Sequence, residues 1–105
     1  MLQPAFKVND VVTIKLVTGE EIVTRLGDPE STSFTISRPL VFTVNPQSGQ
    51  AMLIPWLMSV EAKDPTPIVL YKTSIVSMTR PVKQIADHYT QATSGIVTAP
   101  AGLVI

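Results

Sequence analysis

Few residues of this chain have the type and spacing for enzymatic chemistry. His88 is the sole histidine and there is no cysteine, so a multi-histidine metal site, cysteine-ligated zinc, an iron–sulfur cluster and a disulfide are all excluded. Asp87 and His88 are consecutive on a predicted helix and point about 100° apart. Neither a nucleophile elbow nor a glycine-rich phosphate loop occurs. The expectation is a protein that is not an enzyme, with no catalytic residue, no metal and no cofactor.

Cations offer more. Lys72 lies in the turn-like run Tyr71-Lys72-Thr73, and Arg38 and Arg80 are each followed by a proline that fixes the local backbone. Lys7, Lys15 and Lys83 read as surface solubility. Lysine plus arginine equals aspartate plus glutamate, eight against eight, so long-range attraction to a polyanion is not built into the whole molecule. Any nucleic-acid contact must come from a local patch.

Strands must position these residues. Over 11–28, VVTIKLVTGEEIVTRLGD, Val12, Ile14 and Leu16 share one face, and after Gly19 the alternation resumes with Ile22, Thr24 and Leu26. Gly19 can take the positive φ of a tight hairpin, and Glu20 and Glu21 suit an exposed turn. Residues 27–33 read as a polar loop. A third strand is predicted over 34–44, with a bend, a bulge or an unpaired stretch at Arg38-Pro39. A fourth, apolar on both faces, covers 50–59. Residues 60–67 form a charged, proline-bearing loop, 68–71 is extended, and 74–79 is a short last strand. From Pro81 the period becomes helical: Val82, Ile85, Ala86 and Tyr89 make one stripe, and Gly95 is placed to end a helix over 81–94. The apolar residues 96–105 are either a strand lying on a neighbour or a loose tail.

At 105 residues the chain is expected to be a single domain, with 1–10 as a leading segment and 95–105 as a tail. It is 45% hydrophobic and only 15% charged, a surplus of apolar surface that points to a buried subunit interface. The first residues lack the apolar core of a secretory signal. The longest apolar run, 51–58, falls far short of the ~20 residues of a membrane helix. The expected location is the cytoplasm, with no membrane partner. Five or so bent strands and one terminal helix favour a small β-barrel over a sandwich.

The run 11–79 resembles the Sm-like proteins, the family of the Sm and LSm proteins and the bacterial RNA chaperone Hfq. Val12, Ile14, Leu16, Gly19, Ile22, Leu26, Phe34 and Ile36 occupy the roles of the family's first motif, and Tyr71-Lys72-Thr73-Ser74-Ile75 is similar to the bacterial form of its second. The resemblance implies a mostly β fold: a five-stranded, strongly bent Sm-like (SH3-like) barrel, here with a C-terminal α-helix where the family carries an N-terminal one. Ser33 stands where the family has an asparagine, and Lys72-Thr73 replaces its arginine-glycine. With the segment PVKQIADHYTQATSG, the chain most resembles Sm-like proteins of cyanophage origin, which implies a host cytoplasm.

The same resemblance implies a homo-oligomeric ring of roughly five to seven subunits, in which the fourth strand of one copy pairs with the fifth of the next. Trp56, Leu57, Met58, Ser74, Ile75, Val76 and Met78 would then lie at the subunit interface, although Trp56 serves equally as a core aromatic. Single-stranded RNA is the implied partner, held at the pore rim by Ser31, Thr32 and Ser33 with Tyr71, Lys72 and Thr73. Phe34 and Arg38 are further candidates. Ser31–Ser33 cannot stack on a base, and Phe34 and Tyr71 supply a platform only if they turn from the barrel towards the pore. Lys72 is either one member of a circle of positive charge or a solvated turn lysine, and Arg38 is alternatively an edge-protecting charge. Two functions follow: an RNA-binding ring acting in RNA metabolism, or a phage structural or assembly protein that uses the ring, the helix and the tail as a protein scaffold.

Overall fold

The structure, a computed structural model, describes residues 6–94. The predicted tail and Gly95 lie outside the described residues. Strand β1 (Val11–Leu16) and β2 (Glu21–Pro29) form the expected hairpin with Ile14 opposite Ile22. Gly19 closes it at φ 98°, and its amide donates to the Leu16 carbonyl; at that φ a side chain would be strained. Strand β3 (Ser33–Val44), β4 (Ala51–Pro55), β5 (Ile68–Tyr71) and β6 (Ile75–Thr79) complete an antiparallel sheet of order β4-β3-β2-β1-β6, with β5 also on β3. Helix α1 (Lys83–Thr93) follows.

The sheet therefore has six strands, where five were expected. The predicted strand over 50–59 stops at Pro55, and residues 56–67 leave the sheet. Pro55, Pro65 and Pro67 have no amide proton for a ladder, and the loop makes its own turns, with the Thr66 amide and hydroxyl both donating to the Asp64 carboxylate. Those bonds, the hydroxyl's first, hold the Asp64 carboxyl below its ordinary range. Consequently β4 pairs Leu40–Val44 while β5 pairs Ser33–Ile36. The interruption falls opposite the predicted irregularity of β3, which is a bulge: Arg25 faces Ser37 but Val23 faces Leu40, and Arg38 has φ 52°.

Three further boundaries move. Residues 27–29 stay in β2 instead of leaving it, and Ser33 opens β3 with its side chain buried. The helix starts at Lys83, because Val82 is extended and exposed and so drops out of the predicted stripe; Ile85, Tyr89 and Ala92 form the packed face.

Period-two alternation feeds two cores, one on each face of the sheet. The first gathers Val12, Ile14, Leu16, Ile22, Leu26, Ile36 and Leu70, with Ile75 and Met78 of β6 and Ile68 of β5 packed against it. Side chains from both margins of the sheet thus meet in one cluster, so the sheet must curl over it. The second core, Val23, Leu40, Leu53, Tyr89 and Ala92, is the opposite face covered by α1.

Tyr89 joins helix to bulge. A bulge leaves carbonyls without ladder partners, and here the Thr24 hydroxyl donates to Ser37 O at 2.7 Å while the Tyr89 hydroxyl lies 2.8 Å from Arg38 O. Burial pushes the Tyr89 phenol from 10.0 up to about 12. Because the folded value exceeds the unfolded one, the protonated phenol's contribution is complete below about pH 10 and is lost as pH rises through about 12. Tyr89→Phe should cost about 1–2 kcal/mol at neutral pH, since it removes the hydroxyl from a partly buried carbonyl. It should also remove about 2–3 kcal/mol of the alkaline loss, both read by urea unfolding at pH 7, 10 and 12.

Candidate nucleic-acid interface

Antiparallel pairing of β5 with the start of β3 places Tyr71 opposite Ser33. The residue after Tyr71 must then face the residue before Ser33, and the Lys72 amide donates to the Thr32 carbonyl at 2.9 Å. Residues Lys72–Ser74 form a 3₁₀ turn, held by the Ser74 hydroxyl on Tyr71 O at 2.6 Å and by Ser74 O accepting from the Val17 amide at 2.8 Å. From this turn the Lys72 ammonium reaches Ser31 O at 3.4 Å and lies 4.9 Å from the centroid of the Phe34 ring.

Two sequence segments expected to form one site are thus adjacent: Ser31 and Thr32 of the β2–β3 loop, and Tyr71, Lys72 and Thr73 of the β5–β6 turn. Ser31, Thr32, Tyr71, Lys72 and Thr73 are exposed, Ser33 is buried, and Phe34 is half-buried against the first core. Arg38 does not join them. It sits on the bulge, about 13 Å along β3 from Phe34 at strand spacing, and its Nε donates to Lys63 O at 3.1 Å, tying down the 56–67 loop. Glu30, exposed at the tip of the β2–β3 loop, puts a carboxylate in the same segment.

Two further cations are engaged elsewhere. Arg80 pairs with Asp10 at 3.4 Å and lies over the Phe6 ring, and Lys83 pairs with Asp87 at 2.8 Å. Asp87 holds the Lys83 ammonium pKa above its ordinary range. Among the described residues no group of three or more histidine, aspartate or glutamate side chains could hold a metal ion, and no helix is long and apolar enough to cross a membrane.

The expected interface residues divide. Ile75 and Met78 turn inward onto the first core of their own chain, whereas Val76 is 64% exposed. Ser74 is spent in the turn. Trp56 packs on the first core, and its indole N–H donates to Glu20 at 2.9 Å; Leu57 is half-buried and Met58 stands almost wholly in solvent. The Trp56–Glu20 bond was missed. A partly buried indole N–H calls for an acceptor, but no spacing identifies Glu20, which the sequence assigns to an exposed turn.

Both margins of the sheet are apolar and one-sided. Among the described residues β6 hydrogen-bonds only to β1, and β4 and β5 only to β3. Val69 is 55% exposed and Tyr71 61% exposed on β5, with Val17 beside β6 also in solvent. Compared with protein-family models and with curated proteins, the chain matches none.

Proposed function

We propose that this chain is a small Sm-like barrel that closes into a homo-oligomeric ring through its two sheet margins and holds single-stranded RNA at the rim carrying Lys72. Such a ring would act in RNA metabolism, on the stability or pairing of its strand. The observation that carries the reading is the pairing of the β2–β3 loop with the β5–β6 turn, which sets Lys72 against Ser31 and Thr32 between two open strand edges.

Physical reasons favour assembly. Among the described residues each margin presents one row of ladder groups with no strand partner, together with half-buried side chains of the first core: Ile68 on one side, Ile75 and Met78 on the other. Antiparallel pairing of β5 with β6 of a second copy would satisfy the ladder, extend the core across the joint and bring Val69 and Tyr71 beside Val76. The contact is head-to-tail, so copies continue until the circle closes. Ring symmetry then repeats Lys72 around the pore and makes a local positive patch on a chain of zero net charge.

Fluorescence anisotropy of a labelled oligouridine at low salt tests the reading. The wild-type chain should bind with an affinity that falls steeply as salt rises, and Lys72→Gln should weaken binding at least ~10-fold, since one substitution removes a contact from every subunit. Absence of binding at low salt, or binding indifferent to salt, would remove the mechanism.

A further inference from the structure

We infer that the rim reads the phosphate backbone and not the bases, with Phe34 acting as a positioning residue for Lys72 instead of a stacking platform; this rests on the RNA-binding reading above. A platform for a base needs a bare, accessible aromatic face. Phe34 is half-buried against the first core, and the Lys72 ammonium stands 4.9 Å from its ring centroid. The face a base would need is taken by a cation.

Tyr71 does not replace it. Along β5 Leu70 is buried in the first core, so its neighbours Val69 and Tyr71 project from the opposite face of the margin strand, where the proposed joint with Val76 covers them. Ser31 and Thr32 have no ring, and Ser33 is buried.

What remains suits an anion. An ammonium has three protons and no lone pair. One is directed at Ser31 O, the charge rests over the Phe34 ring, and the remaining protons are free for a phosphate oxygen. Ring and carbonyl together hold a long, mobile side chain in one place, which lowers the ordering cost of each contact. Exposed Glu30 in the same loop opposes an anion and keeps the affinity low. With roughly five to seven lysines each neutralising one phosphate, a fourfold rise in salt should cut affinity on the order of 10²–10³-fold.

The test compares oligouridine, oligoadenosine, oligocytidine and an abasic ribose-phosphate strand of the same length, using the full chain. All four should bind within about threefold of one another and with the same salt dependence. Lys72→Gln should lose binding to all four, Lys72→Arg should retain it, and Phe34→Leu should weaken all four equally with a shallower salt dependence. Lys72 is exposed, so the first two variants fold regardless of how Phe34→Leu behaves. Glu30→Gln should tighten all four. If the abasic strand binds more than ~10-fold weaker than oligouridine, the bases are read and the inference falls while the RNA-binding reading stands. If no strand binds at low salt, both fall.

Discussion

Val69→Lys and Val76→Lys should each reduce the proposed ring to monomers, and an equimolar mixture of the two variants should give a dimer and nothing larger. Val69 lies on one sheet margin and Val76 on the other, both more than half exposed, so a lysine at either position costs the folded monomer little. In the proposed joint the two side chains become neighbours, and a charge there must be buried against an apolar strand, the device by which natural edge strands refuse pairing. The mixture distinguishes the geometry. The Val76→Lys chain keeps an intact β5 and the Val69→Lys chain an intact β6, so one joint forms between them; the second would bring together two damaged margins. An isologous joint, β5 on β5 or β6 on β6, predicts that one of the single variants still dimerises alone. Sedimentation velocity at micromolar concentration separates these outcomes.

Gly27→Val should cost about 3 kcal/mol or more, a large part of the stability of a chain this size. Between Leu26 opposite Ile36 and Pro29 opposite Phe34, β2 carries an extra residue, and the bulge presses Gly27 onto β3. A Cβ there would collide with Thr35 Oγ1 and meet the Thr35 carbonyl oxygen at 2.9 Å. The hydroxyl can rotate away at the loss of its bond to Asp28 O; the carbonyl is backbone of a strand paired on both sides and cannot. Thr35→Ala should therefore rescue only part of the loss, read as the difference in urea midpoint between Gly27→Val and the double variant. The same bulge bends β2 just before the loop that carries Ser31 and Thr32, so distorting it should also displace the backbone on which Lys72 rests.

The hairpin of β1 and β2 was legible because strict alternation and one glycine leave few alternatives, and the inward set Val12, Ile14, Leu16, Ile22 and Leu26 is buried as that pattern requires. An irregularity at Arg38-Pro39 was legible for a similar local reason, and strand pairing makes it a bulge. The loop over 60–67 and the extended 68–71 were legible from their prolines and charges, but the end of β4 at Pro55 was not, since the apolar run continues through Trp56 and Leu57, and neither was the pairing of 68–71 with the start of β3. The sequence makes Tyr89 one member of a helical stripe; that its hydroxyl caps the bulge depends on a contact between residues 51 apart, and such contacts leave no spacing to read.

The site was legible in part. Tyr71-Lys72-Thr73 and Ser31-Thr32 fell into place through the likeness of their motifs to a known pattern, and strand pairing brings them together. Arg38 reads from the sequence as a further candidate beside a proline, but its place on β3 commits it to Lys63. The Phe34–Lys72 contact was invisible, because Phe34 reads equally well as a core residue or a platform until the lysine is seen above its ring.

The central claim is that two open strand margins are satisfied by further copies of the chain. Native mass spectrometry of the purified protein at micromolar concentration, with and without mixed short RNAs, reads it most directly. The account predicts one closed species of roughly five to seven subunits, carrying RNA in small whole-number stoichiometry when RNA is present. A stable monomer under both conditions would contradict it.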